Sequence, residues 1–133
     1  MPTAKPDRPF AYAILRVVPS VERGEQLNAG VVLFCRQLDF LDLRAEVDER
    51  RLAALAPALD PGGVRVSLEA IRAVVCGEPA GGALASMAPS ERFGWVVAPA
   101  STIIQPSQVH TGLTPDAAAT LEHLFSTLVT APG

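Results

Sequence analysis

The sequence predicts an α+β domain: a mainly antiparallel sheet, built from a three-strand meander plus one or two later strands, with about three helices packed on it. Three observations carry this. The periodic segments run in the order three strands, two helices, one or two strands and a helix. The links between the first three strands are too short for parallel crossovers, which need about a dozen residues or more. Leu41, Leu43, Ala45 and Val47 alternate with Asp42, Arg44 and Glu46, as in a strand buried on one face and wet on the other.

Residues 1–9 hold Pro2, Pro6 and Pro9 without periodicity and read as a flexible arm before a single domain over 10–130. Phe10–Val18 is a strand ended by Pro19. It is apolar on both faces apart from Arg16, so both faces should be covered. A polar knot follows, Glu22-Arg23-Gly24-Glu25-Gln26-Leu27-Asn28. Gly30–Arg36, rich in β-branched residues, is the second strand, Gln37-Leu38-Asp39 is a hairpin turn, and Phe40–Val47 is the third strand.

Asp48 is a good N-cap for a helix reaching about Leu59, with Glu49 favourable in its first turn and Leu52, Leu55, Ala56 and Leu59 as its apolar stripe. Asp60-Pro61-Gly62-Gly63 breaks it. Ser67 is expected to cap a second helix, with Leu68, Ile71, Val74 and Val75 facing inward and Gly77 at the stop. Glu78–Gly82 reads as a loop and Ala83–Ala88 as one further helical turn. Phe93, Trp95 and Val97 alternate with Gly94, Val96 and Ala98, which reads as a strand stopped by Pro99. Within 101–111, Ile103-Ile104 suits a short strand that Pro106 would confine to a sheet edge. The last helix has Thr114 as N-cap, Pro115 in the first helical position, Asp116 complementing the dipole, and Leu121, Leu124, Phe125 and Leu128 facing inward.

Composition narrows the function. With 49% hydrophobic and 19% charged residues the chain can build a core. A net charge of −3 with no basic block argues against a broad nucleic-acid surface. One Trp, one Tyr and five Phe are few for stacking single strands. Met1–Pro9 lacks the pattern of a signal peptide and no apolar run reaches membrane-spanning length, so a cytoplasmic location is expected. Cys35 and Cys76 share no CxxC spacing and read as buried free thiols.

Two polar stretches are candidates for function. In the first, Arg16 shares a strand face with Tyr12, Ile14 and Val18 and needs a carboxylate or an anionic ligand. Glu22 and Glu25 are nearest, so an architectural ion pair is one reading; a small-anion site with Arg16 and Arg23 as donors is the other. Glu22, Glu25 and Asn28 recur every three residues and on a helical turn would share a face that could hold a hard cation. Charged turns of this kind are common, Asn28 suits a turn cap, and no metal or other cofactor is assigned. The second stretch is Gln105-Pro106-Ser107-Gln108-Val109-His110-Thr111-Gly112, a loop in which His110 could be structural or a general base. Thr111, Gly112 and Thr114 precede a helix N-terminus, where free N–H groups favour anions, but the glycines of a phosphate-binding loop are missing. His123 falls on the polar face of the last helix.

The run Tyr12–Pro19, then Glu22-Arg23-Gly24-Glu25, Asn28 and Gly30–Leu33, resembles the opening of the bacterial domain of unknown function 3037 family. Arg92-Phe93-Gly94-Trp95, Gln105-Pro106-Ser107 and His110–Thr114 are similar to its second block, and Leu121, Leu124-Phe125 and Leu128-Val129 fit its final helix. The resemblance implies a small cytoplasmic bacterial protein with no agreed activity, encoded beside a kinase-like protein of the HipA type, and hence an accessory role with a protein partner. It supplies no catalytic residues.

No nucleophile elbow, zinc spacing or kinase signature is present. The favoured reading is a non-enzymatic interaction module in which the knot and the His110 loop meet as a recognition surface. The alternative is a small hydrolase or phosphate-processing enzyme. In it Glu22, Glu25, Asn28 and His110 bind metal or act as acid and base, while Arg16, Arg23 and Arg92 hold an anion. That alternative requires all of these groups to converge in one pocket.

Overall fold

The computed structural model describes residues 5–100 and 102–130. Among them, β1 (Arg8–Ser20), β2 (Glu25–Cys35), β3 (Phe40–Ala45), β4 (Ile104–Pro106) and β5 (His110–Thr114) form one antiparallel sheet. The order is β3-β2-β1-β4, and β5 also pairs with β1, beyond β4 toward the start of that strand. The meander predicted from the short links is present, and the class is α+β.

Five helices rather than about three accompany the sheet: α1 (Glu49–Leu55), α2 (Pro61–Val75), α3 (Gly82–Ala85), α4 (Pro89–Val97) and α5 (Ala117–Leu128). Helices α1, α2 and α4 cover one face, where Leu15, Val17, Val32 and Leu43 meet Leu52, Leu68, Phe93 and Val96. Helix α5 covers the other, where Val31, Leu33 and Cys35 meet Leu121 and Phe125. This double cover is why β1 is apolar on both faces.

β1 and β2 start earlier than their sequence signals, whereas β3 ends at Ala45, two residues short of the expected Val47. Arg8 and Pro9, expected in the arm, already pair with Thr114 and Leu113 of β5. Pro19 does not end β1; it falls in the register irregularity between Val17 and Ser20, where a missing N–H removes no ladder bond. β2 starts at Glu25, inside the expected knot, so only Val21–Gly24 remains a turn, with Gly24 at φ +68°. The turn into β3 is a single 3-10 turn, Arg36–Leu38, closed by Asp39 at φ +51°.

A bulge between Leu15 and Arg16 sets Arg16 against Asn28 rather than Ala29. It flips the side-chain alternation of β2, so Leu27 and Ala29 join the same core as Val32. Gly30 allows the close approach of β3 there, since a Cβ would stand 3.1 Å from the Arg44 carbonyl oxygen.

Three helix boundaries and one element type differ from expectation. Asp48 does cap α1, accepting from the Arg51 N–H, but that helix stops at Leu55. Asp60-Pro61 starts a helix instead of only breaking one: Asp60 accepts from the Gly62 N–H, Pro61 takes the first turn, and Ser67, expected as the cap, lies inside α2 and donates to the Gly63 carbonyl. Phe93–Ala98 is not a strand, because α4 runs from Pro89 to Val97 with Phe93 and Val96 buried at helical spacing. The N-cap of α5 is Asp116, accepting from the Ala119 N–H, while Thr114 ends β5. The further helical turn after α2 is the four-residue α3, preceded by a 3-10 turn at Pro79–Gly81.

Candidate functional site

The bulge puts three of the expected site residues in one cross-strand row. Arg16 lies between Asn28 of β2 and Gln105 of β4. The Arg16 Nε donates to Asn28 Oδ1 at 3.4 Å, and Asn28 Nδ2 donates to the carbonyl of Leu128, the last residue of α5, at 3.0 Å. Gln105 turns back and donates to the Thr102 carbonyl at 3.0 Å. The row therefore sits at the C-terminal end of α5, where free carbonyls favour donors and positive charge. Arg51 contributes there too, donating to the Val129 carbonyl at 3.3 Å.

The carboxylates expected to neutralise Arg16 do not reach it. Glu25 pairs with its neighbour Arg23 at 2.6 Å, and Glu22 is exposed in the turn. The ion pair expected to fix the loop is thus an Arg–Asn–carbonyl relay. An amide satisfies both the guanidinium and the helix end without burying a second charge.

His110 and Thr111 stand elsewhere. The His110 ring lies 5.2 Å from the Tyr12 ring, and Thr111 is exposed on β5. Tyr12 is four residues from Arg16 along β1, roughly 13 Å at strand rise. Glu25 pairs with Ser20, eight residues from Tyr12, which puts it roughly 26 Å along the sheet from His110. Arg92 is on the opposite face of the sheet, on α4, donating to the Ala85 carbonyl at 3.4 Å. Its Nη1 lies over Gly77, and its Nε is buried without a partner among the described residues. The groups that a hydrolytic site would need are therefore dispersed over both faces of the sheet. Among the described residues no three His, Cys, Asp or Glu side chains gather to hold a metal ion.

Of the two thiols, Cys35 is buried as expected, but Cys76 is exposed at the end of α2. Its partial burial raises the thiol above its ordinary value, and Asp42, whose Oδ1 is 3.8 Å away, adds to that shift. A raised thiol is a poor nucleophile at neutral pH.

One largely apolar hollow was not signalled by the polar motifs. A cavity of about 410 Å³ opens between α2, α4 and β4, lined by Ile71, Trp95, Val96, Ile103, Ile104 and Pro106. Trp95 is 42% exposed at its rim. Had Pro89-Ser90-Glu91 been taken as a helix start, Trp95 would have fallen off the Phe93–Val96 face, and that was the available signal. A second hollow of about 510 Å³ lies between the end of β3 and α2, lined by Glu46, Arg65, Glu69 and Arg72 among others. Its cations are already occupied: Arg65 pairs with Glu49 at 2.8 Å and Arg72 with Glu69 at 3.4 Å. No described helix is long and apolar enough to cross a membrane.

No curated protein and no solved structure matches the chain. The pattern of one family, described as a protein of unknown function, DUF3037, matches residues 12–129, spanning the bulged meander, the hollow beneath Trp95 and the helix that receives Asn28. The chain belongs to that family.

Proposed function

We propose that the chain is a non-enzymatic interaction module whose protein partner seats on the hollow beneath Trp95. One observation carries this reading: a large aromatic side chain stands 42% exposed over a largely apolar cavity framed by α2, α4 and β4. Tryptophan is among the residues enriched at the energetic centres of protein interfaces. The dispersal of Arg16, Glu22, Glu25, Arg92 and His110 supports the same reading, since each is engaged within the fold or lies apart from the others. A kinase-like protein of the HipA type is the proposed partner, on the strength of the family resemblance.

The test is co-expression of the whole chain with such a kinase-like protein, followed by co-purification and titration. A stable complex is expected, weakened about thirtyfold or more by Trp95→Ala, as for an anchoring tryptophan. Absence of a complex, or a complex indifferent to Trp95→Ala, overturns the reading.

A further inference from the structure

The two edges of the sheet are not alike. Along β3 the backbone groups of Leu43 point off the edge, yet its N–H is already taken by Asp42 Oδ1 at 2.8 Å. Its neighbour Arg44 is held across the edge by Glu122 at 3.0 Å and lies over the Phe125 ring. Such devices keep an edge strand from pairing with another chain.

β5 has no such guard. Ile14 directs both backbone groups toward Ser107, its N–H donating to Ser107 Oγ at 2.8 Å and its carbonyl accepting from the Ser107 N–H at 2.7 Å. Backbone groups alternate sides along a strand, so Phe10 and Tyr12 point toward their β5 partners Gly112 and His110. Thr111 and Leu113 then direct their N–H and C=O groups away from β1, off the sheet. No turn, loop or cap backbone bond among the described residues takes them.

The side chains along this edge are also unguarded. Leu113 on β5 is 67% exposed and Val109, immediately before the strand, is 43% exposed; each is two residues from Thr111. From Gln105 to Pro115 there is no Asp, Glu, Lys or Arg, in a chain whose net charge of −3 otherwise sets copies against one another.

We propose that β5 is a self-association edge, on which two copies pair antiparallel about a two-fold axis through Thr111. The occupant that fits is a second copy of this chain, because the axis sets Val109 of each copy opposite Leu113 of the other. It brings no like charges together and joins the outward backbone groups of Thr111 and Leu113 to those of the neighbour. This surface is separate from the hollow beneath Trp95, and the proposal does not depend on any partner binding there.

Sedimentation of the whole chain across a wide range of concentration tests it. A monomer–dimer equilibrium is expected, with the association constant reduced at least about tenfold by Leu113→Lys, which removes an apolar cross-strand pair on each side of the axis. Leu113 is exposed, so unfolding of that variant is not expected, and circular dichroism checks this. In a Cys76→Ser background, Thr111→Cys should cross-link two copies on oxidation, because directly bonded antiparallel residues stand about 5.5 Å apart, within disulfide reach. The proposal is overturned by a chain that stays monomeric, by a dimer indifferent to Leu113→Lys, or by a dimer in which Thr111→Cys fails to cross-link.

Discussion

Asn28 reaches 100 residues along the sequence to Leu128, its side-chain amide donating to that carbonyl at 3.0 Å while its oxygen accepts from Arg16. One side chain thus ties the bulge between β1 and β2 to the end of α5. Asn28→Ala should lower stability by about 1–2 kcal/mol in urea unfolding, since it strands a helix-end carbonyl and a guanidinium together. An unchanged midpoint would show that solvent replaces the relay.

The carboxylates of the turn should be dispensable. Arg23 and Glu25 pair at 2.6 Å, but with side chains 72% and 34% exposed. Glu22→Gln and Glu25→Gln are each expected to shift stability by less than about 0.5 kcal/mol, as exposed pairs do. A large loss from either would restore the carboxylates as partners of Arg16.

Gly77 holds a left-handed position that side chains rarely adopt. Its φ is +69°, and an added Cβ would sit 2.3 Å from Arg92 Nη1. Gly77→Ala should cost about 1–2 kcal/mol from backbone strain, with a further steric cost. Combining it with Arg92→Ala should relieve the steric part only, which a double-mutant cycle reads out.

Ser107 is 7% exposed and closes the gap between β4 and β5 by pairing with both backbone groups of Ile14. Ser107→Ala leaves the Ile14 N–H buried and unpaired. A loss of about 1–3 kcal/mol is expected in thermal or urea unfolding.

Cys76 should alkylate slowly for an exposed thiol near neutral pH, because burial and then Asp42 raise it and leave less thiolate. Asp42→Asn lowers it part of the way and should speed labelling by iodoacetamide, read by mass spectrometry. Cys35, fully buried, should label only on unfolding.

The meander was legible because two apolar β-branched runs, the alternation in Phe40–Val47, short links and turn residues all agreed. α4 was not, because six residues from Phe93 to Ala98 satisfy both periods: Phe93 and Val97 alternate with Val96, yet Phe93, Val96 and Val97 also share a helical face. The deciding signal, Pro89 followed by Ser90-Glu91, lay upstream of the window. Asp60-Pro61 carries the same lesson in reverse, since the pair that ends one helix also begins the next.

For the site, Arg16 announced its need for a polar partner, but local sequence offered only glutamates. Asn28 comes into register through a one-residue bulge, and its other partner lies at the far end of the chain. His110 and Gln105, close in sequence, part company because the chain between them runs extended along β1, from opposite Arg16 to opposite Tyr12.

The first strand is bonded to the last two, with Ile14 and Ser107 separated by 93 positions. On the ribosome, β1 can pair with β2 at once, but its other side must wait until residues 104–114 have emerged. The nascent meander therefore carries a bare edge until those residues emerge. Folding should be slow for a chain of this size, because the closing contacts are among the most distant in sequence. During that interval the edge of β1 is open to pairing with other strands.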